Sequence, residues 1–261
     1  MRFKNRKRGT VFAALLTISS HAFPSGLTYV NDQINYLFPE PTVSRWLATF
    51  SIGTIWENAG NNHQTVSLNP GQENTYAGNN STHTLANAEI FLGIQNFISE
   101  TLPVQTGLAF ATTGSADITG NIWLNGNPAA TNYTYNYKIR HSHIVLKGKL
   151  LFDNGYFLTP WVSVSAGVGF NQSRDFVNHP TVTGAAAMPD FSNNTTTAFT
   201  YALGVGVKHN LTPHWQIGAG YEFADWGKSQ LGTTDTQTTG HGLSIQDIYT
   251  NGLLFNVTYI G

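Results

Sequence analysis

The sequence has 261 residues, of which 10% are charged and 13% are aromatic, and its formal net charge is −1. Soluble domains carry about 25% charged residues, so charge is scarce here, yet no run of about 18 apolar residues could form a membrane-spanning helix. The near-neutral charge gives no attraction for nucleic acid, and the absence of cysteine excludes disulfides and thiolate chemistry.

The N-terminus has the features of a secretory signal peptide. A basic segment from Arg2 to Arg8 precedes a short apolar segment from Val11 to Ile18. Ser20 and Ala22 are small residues at the two positions that signal peptidases recognise. We therefore predict that residues 1–22 are a signal peptide and that the chain is exported.

From residue 44 to residue 261 the sequence repeats one pattern, which predicts a single β-domain. Segments of roughly ten residues alternate apolar with small or polar residues, the period of strands with two different faces. Residues 23–43 lack this pattern and are predicted to be a periplasmic N-terminal lead-in with one short helix near Asn31–Leu37. Eight segments are predicted as strands: Trp46–Trp56, Ala88–Gln95, Val104–Phe110, His143–Leu150, Leu158–Phe170, Phe199–Lys208, Trp215–Phe223 and Leu253–Tyr259.

The connections between these segments alternate strictly between long and short. The long ones lie near 58–83, 114–136, 171–196 and 227–247, and the short ones near 99–103, 153–156 and 210–213. Outer-membrane barrels have long outer loops, short periplasmic turns and an even strand number. The sequence therefore predicts an all-β, eight-stranded, antiparallel, up-and-down transmembrane β-barrel with both termini in the periplasm.

The barrel should close between its first and last strands, because an open sheet edge is not tolerated in lipid. Ala116–Leu124 and Asn132–Arg140 could form an extra hairpin and so give ten strands. We expect them instead to extend the third and fourth strands beyond the membrane.

The bulky face of the strands is predicted to be the lipid face. Eight strands enclose a lumen with room only for modest side chains, and the opposite face is rich in Gly, Ala, Ser and Thr. A soluble ligand-binding barrel would need the reverse arrangement. Aromatic residues of the bulky parity fall at both strand ends, as in interfacial girdles: Trp46, Trp215 and Tyr259 at one end, and Trp56, Phe170, Tyr201 and Phe223 at the other.

The last segment, Asn251–Tyr259, carries the most specific family resemblance. It resembles the C-terminal insertion signal of the OmpA/OmpX-type family of small outer-membrane barrels, although the chain continues through Ile260 to Gly261. The resemblance covers Ser44 to Tyr259 and implies an outer-membrane location and contact with the barrel-assembly machinery during insertion. The residues that carry the signal are Gly252, Phe255, Val257 and Tyr259.

Five charged residues share the inward parity and are predicted to form an ion-pair cluster in the lumen. They are Glu89, Lys147, Lys149, Lys208 and Glu222. A charge in a narrow, low-dielectric lumen must be paired. Counting from the short turns puts Glu89, Lys147 and Glu222 at mid-height, where they should plug the barrel. These three residues have one more negative than positive charge, which could be balanced by Lys149, by Arg140 or by a proton on one glutamate. A proton or ion path is the alternative interpretation.

The motif His141-Ser142-His143 is the densest histidine cluster. Its imidazoles share one face and could share a metal, and a Ser–His pair could serve a lipid deacylase. Adjacent strand residues point to opposite faces, so neither histidine can easily activate Ser142. We interpret the motif as a polar strand end near the outer rim, and we predict neither a metal nor a cofactor.

The favoured function is a non-enzymatic structural or surface-interaction role through long external loops. The alternative is a narrow pore for small solutes, and a lipid-modifying enzyme is a weaker candidate, because barrels of this type serve all these purposes. The predicted partners are outer-membrane lipid, the assembly machinery and an unidentified surface ligand.

Overall fold

A computed structural model describes residues 44–59, 63–69, 72–185, 188–235, 237 and 240–261. The predicted signal peptide, lead-in and short helix lie outside these residues. Among the described residues, no helix is long and apolar enough to cross a membrane.

The described residues form twelve strands, which we number in chain order. They are β1 (Arg45–Ala59), β2 (His63–Asn69), β3 (Gln72–Gly78), β4 (Ser81–Ser99), β5 (Leu102–Leu124), β6 (Thr131–Leu151), β7 (Thr159–Pro180), β8 (Asn194–Asn210), β9 (Trp215–Asp225), β10 (Ser229–Gln230), β11 (Ser244–Ile245) and β12 (Tyr249–Ile260).

Eight of these strands close into a ring, as predicted. The ring runs β5, β4, β1, β12, β9, β8, β7, β6 and back to β5, and every pair is antiparallel. The first and last strands of the ring pair from Leu47 opposite Ile260 to Asn58 opposite Tyr249, which confirms the predicted closure. Every ring strand therefore has a hydrogen-bonded neighbour on both sides.

We call the two ends of the ring the turn end and the loop end. The turn end carries the short connections between β4 and β5, β6 and β7, and β8 and β9. The described chain also starts and finishes there, where the Gly261 amide donates to the Trp46 carbonyl at 3.0 Å. The loop end carries the long connections.

The two faces of the ring have the predicted orientation. Large apolar side chains point outward and are strongly exposed, for example Leu146 at 66% and Phe255 at 64%. Inward neighbours are small and buried, for example Thr200 at 0% and Ala202 at 3%. Exposed apolar residues over a whole wall are not compatible with water, so this wall is suited to lipid.

Aromatic side chains border the apolar wall at both ends. At the turn end, Tyr259 contacts Trp46 and Trp215 with ring centroids 5.2 and 5.0 Å apart. At the loop end, Phe223 contacts Tyr249 at 5.8 Å. Tyr249 and Tyr259 are ten residues apart on β12, which at ~3.4 Å per residue and a tilt of about 40° corresponds to a height of ~26 Å. That height matches the apolar band of about 25 Å in outer-membrane barrels.

Beyond this aromatic border, β5, β6 and β7 continue as one sheet. The β5–β6 ladder stays antiparallel through two register shifts and reaches Trp123 opposite Thr131, so the expectation that these segments extend the ring strands is confirmed. The connection near 58–83, predicted only as a long loop, has structure of its own. It contains the β2–β3 hairpin, and β3 pairs with the upper part of β5. This pairing satisfies the backbone groups of β5 where it outruns β4.

The other long connections also differ from open loops. They contribute buried apolar side chains to a cluster at the loop end. The last connection supplies Leu231, Leu243, Ile245 and Ile248, together with the short β10–β11 pair. The loop end is therefore packed by its own hydrophobic core.

Candidate functional site: the filled lumen

Inward side chains fill the ring in successive layers along its axis. From the turn end to the loop end we name a tryptophan layer around Trp161, an ionic layer around Lys147, a histidine layer around His141, and an aromatic cap around Tyr76. The alternation of each strand sends every second residue into these layers.

The ionic layer consists of Lys147, Glu89 and Glu222. The Lys147 Nζ donates to Glu89 Oε1 at 2.7 Å and Oε2 at 2.8 Å, and to Glu222 Oε2 at 3.2 Å. All three side chains are at most 12% exposed. The structure thus brings together from β6, β4 and β9 the three residues that depth counting placed at mid-height. Three charged hydrogen bonds hold the strands across the lumen.

Two lysines assigned to the same cluster lie outside it. Lys149 is one inward step nearer the turn end than Lys147, an offset of about 7 Å along the strand, and its Nζ lies 4.4 Å from the centre of the Trp161 ring. Lys208 is buried opposite Thr159 and Gly218. Neither makes an ion pair among the described residues, so the prediction of a five-member network is corrected to a triad. Arg140 points outward and is exposed, so it cannot balance the triad's charge.

Trp161 was not predicted as a lumen residue, although its parity is inward. Its indole is 7% exposed and lies against the inner wall of β8 and β9. An added Cβ at Gly206 or Gly220 would overlap the indole ring, and these glycines are directly opposite each other. Glycines at paired inward positions were therefore the available signal that one large side chain fills the space.

The histidine layer is built on His141. Its Nε2 lies 2.9 Å from Glu57 Oε2, and its Nδ1 lies 2.8 Å from Asn171 Oδ1. The Asn171 amide donates to the carbonyls of Trp226 at 2.7 Å and Lys228 at 2.8 Å. His141, Glu57 and Asn171 are fully buried. The layer therefore ties β1, β6 and β7 to the last long connection.

His143 lies between the ionic and histidine layers. Its ring stacks on Trp226 with centroids 4.5 Å apart, and the side chain is 2% exposed. Both of its ring nitrogens, Glu57 Oε1 and Asn87 Oδ1 are buried without a hydrogen-bond partner among the described residues. Buried groups of this kind are commonly satisfied by internal water.

The placement of these histidines corrects the expectation of a polar outer rim. Both imidazoles point inward and are at most 2% exposed. The strand continues well beyond them to Thr131, so they do not lie at its end. Ser142 is on the opposite face and pairs with Thr112 at 3.0 Å between hydroxyl oxygens. A Ser–His catalytic pair is therefore not formed by this motif. The described residues contain no cluster of three or more His, Asp or Glu side chains suited to a metal.

The aromatic cap closes the loop end. Tyr76, Tyr135, Phe176 and Phe191 contact one another with ring centroids 5.0 to 6.3 Å apart. Burial raises the pKa of both tyrosines above the ordinary value, and for Tyr76 the neighbouring Tyr135 and Asp190 add to the effect. These phenols consequently stay neutral and behave as apolar packing groups.

The residues of the proposed insertion signal lie at the end of β12. Phe255 and Val257 face outward and are 64% and 44% exposed, and Tyr259 belongs to the turn-end aromatic border. Gly252 faces inward at a close approach to Ile55. Their role in insertion stays a prediction.

One family model matches most of the chain. Residues 46–260 match the family model described as the outer membrane protein beta-barrel domain. No curated protein matches the chain. Similar solved structures include Neisserial surface protein A, with 12% identity over 84% of this chain and 98% of that one and a TM-score of 0.42. Ail, the attachment invasion locus protein of Yersinia pestis, has 12% identity, 83% and 99% coverage and a TM-score of 0.38. The outer membrane protease OmpT from Escherichia coli has 8% identity, 85% and 98% coverage and a TM-score of 0.41.

Proposed function

Since the chain belongs to the outer membrane protein beta-barrel domain family and is therefore a protein of the bacterial outer membrane, we propose that it is a non-enzymatic barrel that displays a rigid sheet on the cell surface. The observation that carries the proposal is the sheet formed by β2, β3 and the upper parts of β5, β6 and β7. We call this sheet the loop-end platform.

The construction of the platform supports a display role. One of its faces packs on the aromatic cap, where Ile118, Ile122 and Tyr135 are at most 5% exposed. The other face carries polar side chains such as Asp117 and Thr119, which are exposed. A surface held by its own core keeps a fixed shape, and a preorganised surface binds partners at lower entropic cost than a mobile loop.

The lumen chemistry favours a non-enzymatic role. His141 has the carboxylate partner that a general base needs, but both of its nitrogens are already engaged by Glu57 and Asn171. The three residues are fully buried, so a substrate cannot reach the imidazole. We therefore assign His141, Glu57 and Asn171 to packing and cohesion of the barrel.

Single-cysteine labelling tests the proposed orientation, since the chain contains no native cysteine. Thr119→Cys lies on the platform and Thr101→Cys lies in the turn before β5, and both threonines are exposed. A membrane-impermeant maleimide should label Thr119→Cys in intact cells and Thr101→Cys only after lysis. Equal labelling of both variants in intact cells, or labelling of Thr101→Cys alone, would contradict surface display of the loop end.

Planar-bilayer recording tests the proposal that the lumen is closed. The tryptophan, ionic and histidine layers lie across the path, so we expect no stable open level in the wild-type chain. The rival function is a narrow pore. A steady conductance that persists unchanged in Lys147→Met would favour that rival, because the ionic layer would then not obstruct the path.

A further inference from the structure

One polar concavity lies on the outer wall, at the boundary between apolar and polar residues. It has a volume of about 410 Å³ and is lined by residues of β5, β6, β7 and β8. Phe110 and Phe170 form its apolar sides and are 47% and 38% exposed. Its polar part is supplied by Thr112, Arg140, Ser142, Gln172 and Thr195.

The sheet register explains why polar groups converge there. Thr112 is opposite Ser142, and Ser142 is opposite Phe170. Between Thr112 and Ser115 the ladder is irregular, so that three residue steps on β5 match two on β6, from Ser142 to Arg140. Such a bulge redirects neighbouring side chains, and here the Thr112 hydroxyl comes within 3.3 Å of the Arg140 Nη2.

Most N–H groups of the Arg140 guanidinium make no hydrogen bond to the described residues in this concavity. Its guanidinium carries five N–H groups in a planar fork, and among the described residues its side chain makes the single hydrogen bond to Thr112. Thr112 and Ser142 share a hydrogen bond at 3.0 Å. The guanidinium is thus held at the edge of the apolar wall with most of its donors directed to the surroundings.

We infer that this concavity binds the phosphate of an anionic membrane lipid, with Arg140 as the principal ligand. An arginine fork matches two phosphate oxygens. The Thr112 hydroxyl donates to the His141 carbonyl at 3.3 Å and accepts from the Arg140 Nη2, so it positions the guanidinium at the site. Phe110 and Phe170 border the site on the side of the apolar wall, where the lipid's chains would lie. The inference depends on membrane embedding and not on which leaflet faces the loop end, so it can fail or hold independently of surface display.

Native mass spectrometry of the full-length chain in a neutral maltoside detergent tests this site. The probes are dioleoyl phosphatidic acid, dioleoylglycerol with the same chains and no phosphate, and inorganic phosphate as a competitor. We expect one phosphatidic acid to be retained in preference to dioleoylglycerol. Arg140→Gln should reduce its retention roughly tenfold, as expected for the loss of a charged hydrogen-bonding group.

Lys138→Gln is the matched control, because Lys138 is the next outward residue on β6 and lies outside the concavity. Its retention of phosphatidic acid should stay within about twofold of wild type. Heat-modifiable gel mobility verifies that each variant is folded, and Thr112→Val serves as a second probe with an expected several-fold loss if Arg140→Gln does not fold.

Three results would overturn the inference. Equal losses in Arg140→Gln and Lys138→Gln would indicate diffuse charge attraction. Equal retention of dioleoylglycerol would indicate a groove for chains only. Complete displacement of the lipid by an equal concentration of inorganic phosphate would indicate a site for the free anion.

Discussion

The ionic layer and the aromatic cap both close the barrel, but they do so by different physics. The ionic layer joins three strands through one ammonium group and two carboxylates. The aromatic cap joins the hairpin, the extended strands and the long connections through ring contacts and apolar burial. The first depends on matched charges at fixed positions, whereas the second depends on contact area, which many side chains share.

This difference determines how each region should respond to change. Removal of one partner from a buried ion pair leaves an uncompensated charge in a low-dielectric site. Loss of one ring from an apolar cluster removes contact area and leaves a cavity, whose cost depends on local relaxation. The ionic layer should therefore fail as a unit together with the ring, while the cap should weaken gradually and locally.

Lys147→Met should produce the largest effect. It leaves Glu89 and Glu222 facing each other without their cation, at a cost of about 3–5 kcal/mol in the free energy of unfolding. The double variant Lys147→Met, Glu89→Gln should cost less than the single one, because it removes one of the stranded charges. Urea unfolding in lipid vesicles, followed by tryptophan fluorescence, measures both.

The control for this comparison is Lys138→Met on the outward face of the same strand. A surface substitution there should change stability by no more than about 0.5 kcal/mol. The layer would not act as a matched charge cluster if Lys147→Met and Lys138→Met were equally stable. The same conclusion would follow if the double variant were less stable than Lys147→Met alone.

Phe176→Ala should be the next largest change and should be confined to the cap. Phe176 is 5% exposed and contacts Tyr135 and Phe191, so truncation should cost about 3 kcal/mol in cap stability. Limited proteolysis at the loop end should accelerate while heat-modifiable mobility of the ring persists. Val177→Ala, an exposed neighbour on β7, should leave both unchanged, and concerted loss of ring and cap in Phe176→Ala would contradict their independence.

Alkaline pH should also separate the two regions. Burial raises the pKa of Tyr76 and Tyr135 in the folded cap, whereas an unfolded tyrosine ionises near pH 10. Their contribution is therefore complete below about pH 10 and declines as the pH rises further, because the unfolded state loses protons first. Near-UV circular dichroism from about pH 8 to 11 should show loss of aromatic packing, and the Tyr76→Phe, Tyr135→Phe variant should lose less over the same range.

The sequence predicted the ring better than the cap, because the ring depends on local patterns and the cap depends on contacts between distant segments. A period of two, together with turn length, is local information, and it determined the ring, the lipid face and the depth of Lys147, Glu89 and Glu222. The cap requires contacts between segments far apart in sequence, so its members were not identified. The Pro70-Gly71 pair between Val66 and Thr75 was a turn signal for the β2–β3 hairpin, but the polar composition of this segment resembles that of an open loop.

The lumen shows the same limit at the level of single residues. Glu57 has the inward parity of β1, yet it lies past the last apolar residue of the predicted strand, so its contact with His141 depended on a strand end that the pattern did not locate. Trp161 was not predicted in the lumen, because a narrow lumen was expected to contain only small side chains. That expectation holds on average, and here the glycines opposite Trp161 supply the space.

Tyr76→Phe should have the smallest effect, with a sign opposite to that of the other substitutions. The Tyr76 hydroxyl is buried and has no hydrogen-bond partner among the described residues. The cavity lined by Tyr76, Gln64 and Tyr135 has a volume of about 10 Å³, at the lower limit of the ~10–15 Å³ that one water requires. Removing an unsatisfied hydroxyl while keeping the ring should therefore be neutral or stabilise the cap by up to about 1 kcal/mol.

Thr250→Val provides the contrast for this last substitution. The Thr250 hydroxyl accepts a hydrogen bond from Trp226 Nε1 at 2.9 Å, and its removal leaves a buried donor without a partner, at a cost of about 1–3 kcal/mol. Both variants delete one hydroxyl at the loop end, so the comparison isolates hydrogen bonding from packing. Resistance to proteolysis at the loop end reports both. A destabilised Tyr76→Phe would mean that the hydroxyl is satisfied by a bound water, and the cap would then depend on polar pairing in the way the ionic layer does.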